Sequence, residues 1–299
     1  MSEASEPEKE KPKGGEKKWL SNTIVRLLTA AVGIPIILWM LFFADPVVFS
    51  TFGIFAAGVA ATELAGMTLG GDRVLTTWLV IATATVTAVL TFWPTGEALT
   101  ALLFGLFVSG PLAVLVRPDP LDKAALRMGW LIGGPIYVGG AIAAIARLQH
   151  LNDSGGVWVV LAMALAWGSD TGGYFAGRAF GKHKLYEKVS PKKTVEGAIG
   201  GLAAIVAMAL VVHFLWLPVL TPMHAVVLAL VAGAIGQAGD LCVSVIKRST
   251  GVKDSGKIIP GHGGLLDRID ALMFTATITL AYTTWVLDLD ATTPQFPGF

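Results

Sequence analysis

Between positions 240 and 270 the chain reads D-L-C-V-S-V-I-K-R-S-T-G-V-K-D-S-G-K-I-I-P-G-H-G-G-L-L-D-R-I-D. Four aspartates, three lysines, two arginines and a histidine fall in this window, although only 14% of the 299 residues are charged. Asp240, Ser244 and Lys247 are spaced four and three apart, which puts a carboxylate, a hydroxyl and an ammonium on one helical face. Asp267 and Asp270 share a face of the following helix, while Arg268 points elsewhere. A short loop between two such helices lets their polar faces converge. Aspartates with few histidines and no cysteine cluster favour a hard cation bound through oxygen, Mg²⁺ in particular. Magnesium completes its octahedron with water or phosphate oxygens, so a phosphorylated ligand is expected. Lys247, Arg248, Lys253 and Lys257 offer it positive charge. Around His262, Gly261, Gly263 and Gly264 form a turn whose N–H groups can approach an anion closely.

A second polar region precedes this one. In W-G-S-D-T-G-G-Y-F-A-G-R-A-F-G, Gly168, Gly172, Gly173, Gly177 and Gly181 have the spacing of close helix packing in a membrane. Packing does not account for Asp170, a carboxylate inside an apolar segment, and contact with a cation or a polar substrate is expected there. The phrase G-R-A-F-G-K-H is not a phosphate-binding P-loop, because its first glycine is misplaced and no Ser or Thr follows Lys182. In S-P-K-K-T-V-E-G, Ser190 reads as an N-cap and Pro191 as the first residue of a helix. Lys192 and Lys193 would then join the free N–H groups of that helix in an anion site.

The elements that position these groups are membrane helices. With 54% apolar residues and a mean hydropathy of +0.67, the chain is too apolar for a soluble globule of its length. Its single cysteine, Cys242, excludes an internal disulfide and a cysteine-type zinc site. At roughly 20 apolar residues per crossing, an all-α polytopic fold with about nine spans is expected. The spans lie near 23–43, 46–69, 75–93, 97–116, 127–148, 156–177, 195–216, 223–246 and 265–287. Residues 1–22 read as a disordered polar tail, 23–155 as N-terminal spans, 156–287 as the catalytic region, and 288–299 as a short tail on the opposite side.

Lysines and arginines set the orientation. Nine spans put Arg73, the Arg117–Arg127 loop, the Lys182–Lys193 loop and the Lys247–Lys257 loop on the side of the N-terminal tail. The opposite loops contain neither Lys nor Arg, and Arg147, near the end of the fifth span, is the one exception to the pattern. The N-terminus is therefore expected to be cytoplasmic and the C-terminus extracytoplasmic, with both charge-rich regions facing the cytoplasm.

Residues 244–270 resemble the signature of the phosphatidate cytidylyltransferases, also called CDP-diacylglycerol synthases. The upstream S-D-T-G-G-Y-F-A-G-R-A-F-G-K-H-K-L and S-P-K-K-T-V-E-G resemble that family's other motif region, in the same order. The resemblance covers the C-terminal half and departs at Val243 and Ala271, where the family often has an acidic residue and a serine. It implies that CTP and phosphatidate give CDP-diacylglycerol and pyrophosphate, with Mg²⁺, at the cell membrane. It also implies Asp240 and Asp267 as metal ligands, with Asp254 and Asp270 as supporting carboxylates. Lys247, Arg248, Lys253 and Arg268 would hold phosphates, with His262 in the reacting loop. Asp170, Ser190, Lys192, Lys193, Ser244, Gly261, Gly263 and Gly264 would meet the substrates. A homodimer is implied, and no nucleic-acid partner is expected. A CTP-dependent transferase acting on an isoprenoid lipid phosphate, or a cation transporter, are the competing readings. A transporter would carry polar residues through several spans, whereas these cluster at one face.

Overall fold

The computed structural model describes residues 14–151 and 154–289. Most of the expected N-terminal tail (1–13) and most of the C-terminal tail (290–299) lie outside the described residues. In chain order the helices are α1 (Gly14–Phe42), α2 (Pro46–Thr68), α3 (Arg73–Phe92), α4 (Gly96–Val116), α5 (Ala124–Gly134) and α6 (Ala141–Gln149). They continue with α7 (Gly155–Phe180), α8 (Val195–Leu215), α9 (Pro222–Ser249) and α10 (Leu266–Trp285). A π-helical segment, Pro135–Gly140, fuses α5 to α6. Proline at its head removes one backbone donor and breaks the regular ladder there. In lipid each backbone polar group must be satisfied within the segment, which is why these apolar stretches become helices.

Caps explain where the helices begin. Asp45, Asp72, Thr95, Thr194 and Thr221 each accept a hydrogen bond from a backbone N–H of the following turn. Pro46 and Pro222 take the first helical position, where a missing N–H costs nothing. α1 reaches back to Gly14, into the stretch expected as a tail, since the helix-forming Glu16, Lys17 and Lys18 run straight into its apolar segment.

The protein is a multi-pass membrane protein. Among the described residues, seven helical segments are long and apolar enough to cross a membrane. α7 and α10 are not among them, although nine spans were expected. Both are long enough, but α7 carries Asp170 and Arg178, and α10 carries Asp267, Arg268 and Asp270. The shortfall in hydropathy therefore falls on two of the helices that bear the candidate chemistry, while α9, which carries Asp240 and Lys247, is apolar enough to be counted.

Two apolar cores organise the packing. One joins α1, α6, α7, α8, α9 and α10 around residues such as Trp158, Leu165, Ile205 and Leu228. The other joins α2, α3, α5 and α6 around Leu64, Leu79 and Leu131. Val243, Leu266 and Met273 belong to the second core while Ala271 and Leu272 belong to the first, so the facing ends of α9 and α10 are wedged between the two. Both positions that depart from the family signature, Val243 and Ala271, are thus buried apolar contacts.

Three polar contacts draw charge-bearing segments together. Arg127 at the start of α5 pairs with Asp72 before α3. The middle of α1 meets the α9–α10 loop, where Arg26 Nε donates to Gly261 O at 2.7 Å. Lys193 before α8 pairs with Asp240 near the end of α9.

The region before α8 differs from expectation. Residues Lys184–Tyr186 (β1) and Ser190–Thr194 (β2) form an antiparallel hairpin, with Lys184 opposite Thr194 and Tyr186 opposite Ser190. Ser190 is therefore a strand residue and not a helix cap. Thr194 takes that role, accepting from Gly197 N at 3.1 Å, so the anion site expected at a helix beginning at Pro191 does not form. Glu196 in the first turn of α8 closes the hairpin by accepting from the N–H groups of Lys182 and His183 and by pairing with His183 Nδ1 at 2.6 Å.

Candidate active site

The site is assembled by α7, β2, α8, the end of α9 and the start of α10. α7 and α8 come together through their glycines. A methyl group added to Gly172 would lie 2.5 Å from Ala204 Cβ, and one added to Gly201 would lie 2.6 Å from Ser169 O. Small residues are required for backbones to approach so closely. Gln237 of α9 ties this pair to the rest, donating from Nε2 to Ser169 Oγ at 2.9 Å and to Ala198 O at 3.0 Å. A cleft of about 330 Å³ opens beside this junction, with Asp170, Tyr174, Arg178, Lys192, Lys193 and Gln237 on its walls.

Beside the cleft the Lys193 ammonium pairs with Asp240 and lies 3.7 Å from Asp170 Oδ1. Burial works against the charged form of Lys193, but Asp240, followed by Asp170 and Asp270, outweighs it and holds its pKa above the ordinary lysine value. Lys193 is accordingly a cation at any physiological pH. Asp270 is buried on α10, and its carboxyl is within hydrogen-bonding reach of Asp240. Three carboxylates and one ammonium, from α7, β2, α9 and α10, thus form one cluster.

Asp267 lies in a different set of contacts. Its Oδ1 accepts from Lys247 Nζ at 2.6 Å, and its Oδ2 accepts from Ser255 N at 2.8 Å, Ser255 Oγ at 3.0 Å and Gly264 N at 3.3 Å. Lys247 is 8% exposed and is held by this pairing. The expected partners Asp240 and Asp267 therefore engage different cations in the structure, and Asp270 is the carboxylate that stands next to Asp240.

Among the described residues no group of three or more His, Cys, Asp and Glu side chains is arranged as a ready metal cage. The donor chemistry at Asp240 and Asp270 still suits Mg²⁺, which takes one or two carboxylates and completes its shell with phosphate and water. Two neighbouring carboxylates of like charge, already facing a lysine ammonium, make a place where positive charge is favoured.

The remaining expected residues occupy the rim. Ser244 is half-buried on α9, and Ser190 is half-buried in β2. Lys192, Arg248, Lys253, Asp254 and Arg268 are exposed. Arg248 Nη1 donates to Val252 O at 3.0 Å and so shapes the loop leaving α9. Gly261 and Gly263 have positive φ (74° and 85°), which only glycine adopts without strain. His262 Nδ1 faces Pro260 O at 3.4 Å. Trp167 Nε1 of α7 donates to Arg268 O at 3.2 Å. Next to this contact an apolar cavity of about 450 Å³ runs between α1, α2, α6, α7 and α10, with Trp167, His262 and Arg268 among its lining residues.

One functional carboxylate escapes the motif reading. Glu63 of α2 is 5% exposed; its Oε1 accepts from Leu265 N at 2.9 Å, and its Oε2 from Leu266 N at 2.8 Å and Ser255 Oγ at 3.0 Å. Of the N–H groups of the glycine-rich turn that were expected to meet a ligand anion, that of Gly264 is taken by the protein's own Asp267. The signal was present: Glu63 is the one charged residue in the 23 residues of α2, and ionisable groups in membrane segments mark function.

The model of the Cytidylyltransferase family matches residues 24–286. A phosphatidate cytidylyltransferase of Brucella suis biovar 1 (strain 1330) is 35% identical over 286 residues, covering 94% of this chain and all of the relative. A phosphatidate cytidylyltransferase of Bacillus subtilis (strain 168) is 35% identical over 148 residues, 50% of this chain and 55% of its own length. That of Staphylococcus saprophyticus subsp. saprophyticus is 42% identical over 134 residues, 42% of this chain and 49% of its own. With its match extending from α1 to the end of α10, the chain belongs to the cytidylyltransferase family.

Proposed function

We propose that this chain transfers the cytidylyl group of CTP to phosphatidate, releasing pyrophosphate and forming CDP-diacylglycerol for phospholipid synthesis. The observation that carries the reading is one juxtaposition: a cleft walled by Asp170, Lys192 and Lys193 stands beside an apolar cavity whose lining includes Arg268. Trp167 lines the cavity while Ser169 and Asp170 line the cleft, so one stretch of α7 borders both spaces. A polyphosphate nucleotide suits the first, and the acyl chains of a lipid suit the second. Family membership and the Brucella relative support the same reaction.

In this reaction an oxygen of the lipid phosphate attacks the α-phosphorus of CTP in line. The bond from that phosphorus to the β-phosphate bridging oxygen breaks, and pyrophosphate leaves with the electron pair. A phosphate monoester is largely ionised at neutral pH, so the nucleophile needs no strong base. The protein's work is to hold two polyanions against their mutual repulsion and to orient them. Lys192 and Lys193 face the nucleotide, with Ser190 beside them. Arg268 and His262 meet the lipid phosphate at the mouth of the apolar cavity. Lys253 and Arg248 add positive potential from the rim, where Asp254 is also exposed. Ser244 lies on the face that Asp240 and Lys247 share. Lys247 and Asp267 lock the start of α10 to the end of α9, with Gly261, Gly263 and Gly264 shaping the turn. Mg²⁺, when bound, would be held by Asp240 and Asp270 and would neutralise phosphate charge; Asp267 Oδ1 would join them if Lys247 turned toward phosphate.

The site end of the bundle is read as cytoplasmic, where CTP is made, with the N-terminus on that side of the cell membrane. The family resemblance supports a homodimer. The reading is tested with purified protein in detergent, labelled CTP, phosphatidate and Mg²⁺. Labelled CDP-diacylglycerol is the expected product; folded protein that makes none overturns the proposal, and product only with an isoprenoid phosphate transfers it to that lipid class.

A further inference from the structure

Glu63 belongs to the N-terminal half, which the motifs do not reach, yet its three acceptor contacts all fall on the α9–α10 loop and the first turn of α10. The N–H groups of Leu265 and Leu266 are orphan donors of a helix N-terminus, and α10 has no side-chain cap of its own, as Leu265 occupies the cap position. A carboxylate from another helix therefore does what an Asp or Ser cap does elsewhere, at the end of the helix dipole that favours negative charge.

The same carboxylate reaches toward the chemistry through one hydroxyl. Ser255 Oγ lies 3.0 Å from both Glu63 Oε2 and Asp267 Oδ2. A serine hydroxyl has one proton and two acceptor oxygens compete for it, so removing either carboxylate changes how the other is held. The loop is built around this contact. A methyl group on Gly256 would sit 2.5 Å from Glu63 Oε1, and one on Gly264 would sit 2.0 Å from Ser255 Oγ and 2.7 Å from Glu63 Oε2. These two glycines of the signature leave the room that the approach of Glu63 needs.

We infer that Glu63 is a positioning residue for the transfer reaction: by capping α10 and sharing Ser255 with Asp267, it fixes the carboxylates of α10 relative to α9. The inference rests on the reaction proposed above. Glu63→Gln preserves size but puts an amide NH₂ against donors. The expected result is a 10- to 100-fold fall in kcat, with KM for CTP and for phosphatidate changed less than about threefold, since no substrate contact is lost. Ser255→Ala, which leaves the helix cap intact, is expected to lower kcat by a similar factor and to add little to Glu63→Gln in the double variant. A kcat within twofold of wild type in Ser255→Ala, or independent effects that multiply in the double variant, overturns the inference, whether or not Glu63→Gln folds well. If the wild-type chain forms no CDP-diacylglycerol, the proposed function fails separately. The inference is then decided by hydrogen–deuterium exchange at the Leu265 and Leu266 amides, which Glu63 accepts from: at least tenfold faster exchange in Glu63→Gln supports it, and an unchanged rate overturns it.

Discussion

Lys193 and Asp240, 47 residues apart in the chain, meet as an ion pair beside the cleft, and the same ammonium lies 3.7 Å from Asp170. One cation thus answers carboxylates from two helices. Losing one partner of a charge-assisted hydrogen bond costs about 1.5–3 kcal/mol, which is roughly 10- to 100-fold in rate if the pair acts in the transition state. Lys193→Met and Asp240→Asn are each expected to lower kcat/KM for CTP by at least that much. Steady-state kinetics in detergent checks this, with membrane insertion unchanged in both.

Asp267→Asn removes the charge that holds the nearly buried Lys247. Breaking such a pair costs about 3–5 kcal/mol, so this variant is expected to lose turnover and to unfold at lower temperature than wild type. Asp240→Asn should lose turnover with a smaller thermal shift, as Asp240 is more exposed. Paired thermal melts and activity assays separate the two roles.

Asp72 gives a pH dependence with a defined sign. Partial burial disfavours its charge, but the N–H groups of Leu75 and Val74, then Arg127, outweigh burial and lower its pKa below the ordinary 3.8. A folded pKa below the unfolded value stabilises the protein above the unfolded pKa, and this stability is lost as the pH falls through the folded value. The thermal midpoint of wild type should fall on acidification below about pH 4. In Asp72→Asn that component of the fall should be missing, and stability at pH 7 should be lower.

The glycine contacts between α7 and α8 predict a position-specific cost. Gly201→Ala introduces a methyl 2.6 Å from a backbone oxygen, whereas the same change at Gly105 meets nothing within 4 Å. Overpacking of this kind costs about 1–3 kcal/mol. Gly201→Ala should lower both thermal stability and activity; Gly105→Ala, which gains helix propensity, should leave both within error.

Orientation is checked with a cysteine at Lys257, which is exposed in the α9–α10 loop, in a Cys242→Ser background. A membrane-impermeant thiol reagent is expected to label it only from the cytoplasmic side. Ser255, in the same loop, would be a poor reporter because it is buried between Glu63 and Asp267.

Much of this arrangement was legible in the sequence because it follows from periodicity and charge. The spacing of Asp240 and Lys247 set them on the helix that meets α8 and α10. The hairpin of β1 and β2 was not legible. Ser190 followed by Pro191 is a sound helix start locally, and the strand pairing that overrides it depends on Thr194 and Glu196 further on. The partners of Asp267 were hidden for another reason: a carboxylate near several cations takes the one that tertiary packing delivers, and spacing cannot say that Lys193 reaches Asp240 while Lys247 takes Asp267. Glu63 was visible as an isolated charge, but its role depended on contacts about 200 residues away.

That separation has a consequence for the order in which the protein is made. Chains emerge N-terminus first, so α2 is synthesised long before Leu265 and Leu266, 202 and 203 residues beyond Glu63. Until α10 arrives, Glu63 has none of these donors, and a carboxylate in the bilayer without partners is costly. Among the described residues α10 is the last helix to be made, and only with it does Glu63 gain the Leu265 and Leu266 donors that join the two halves of the chain.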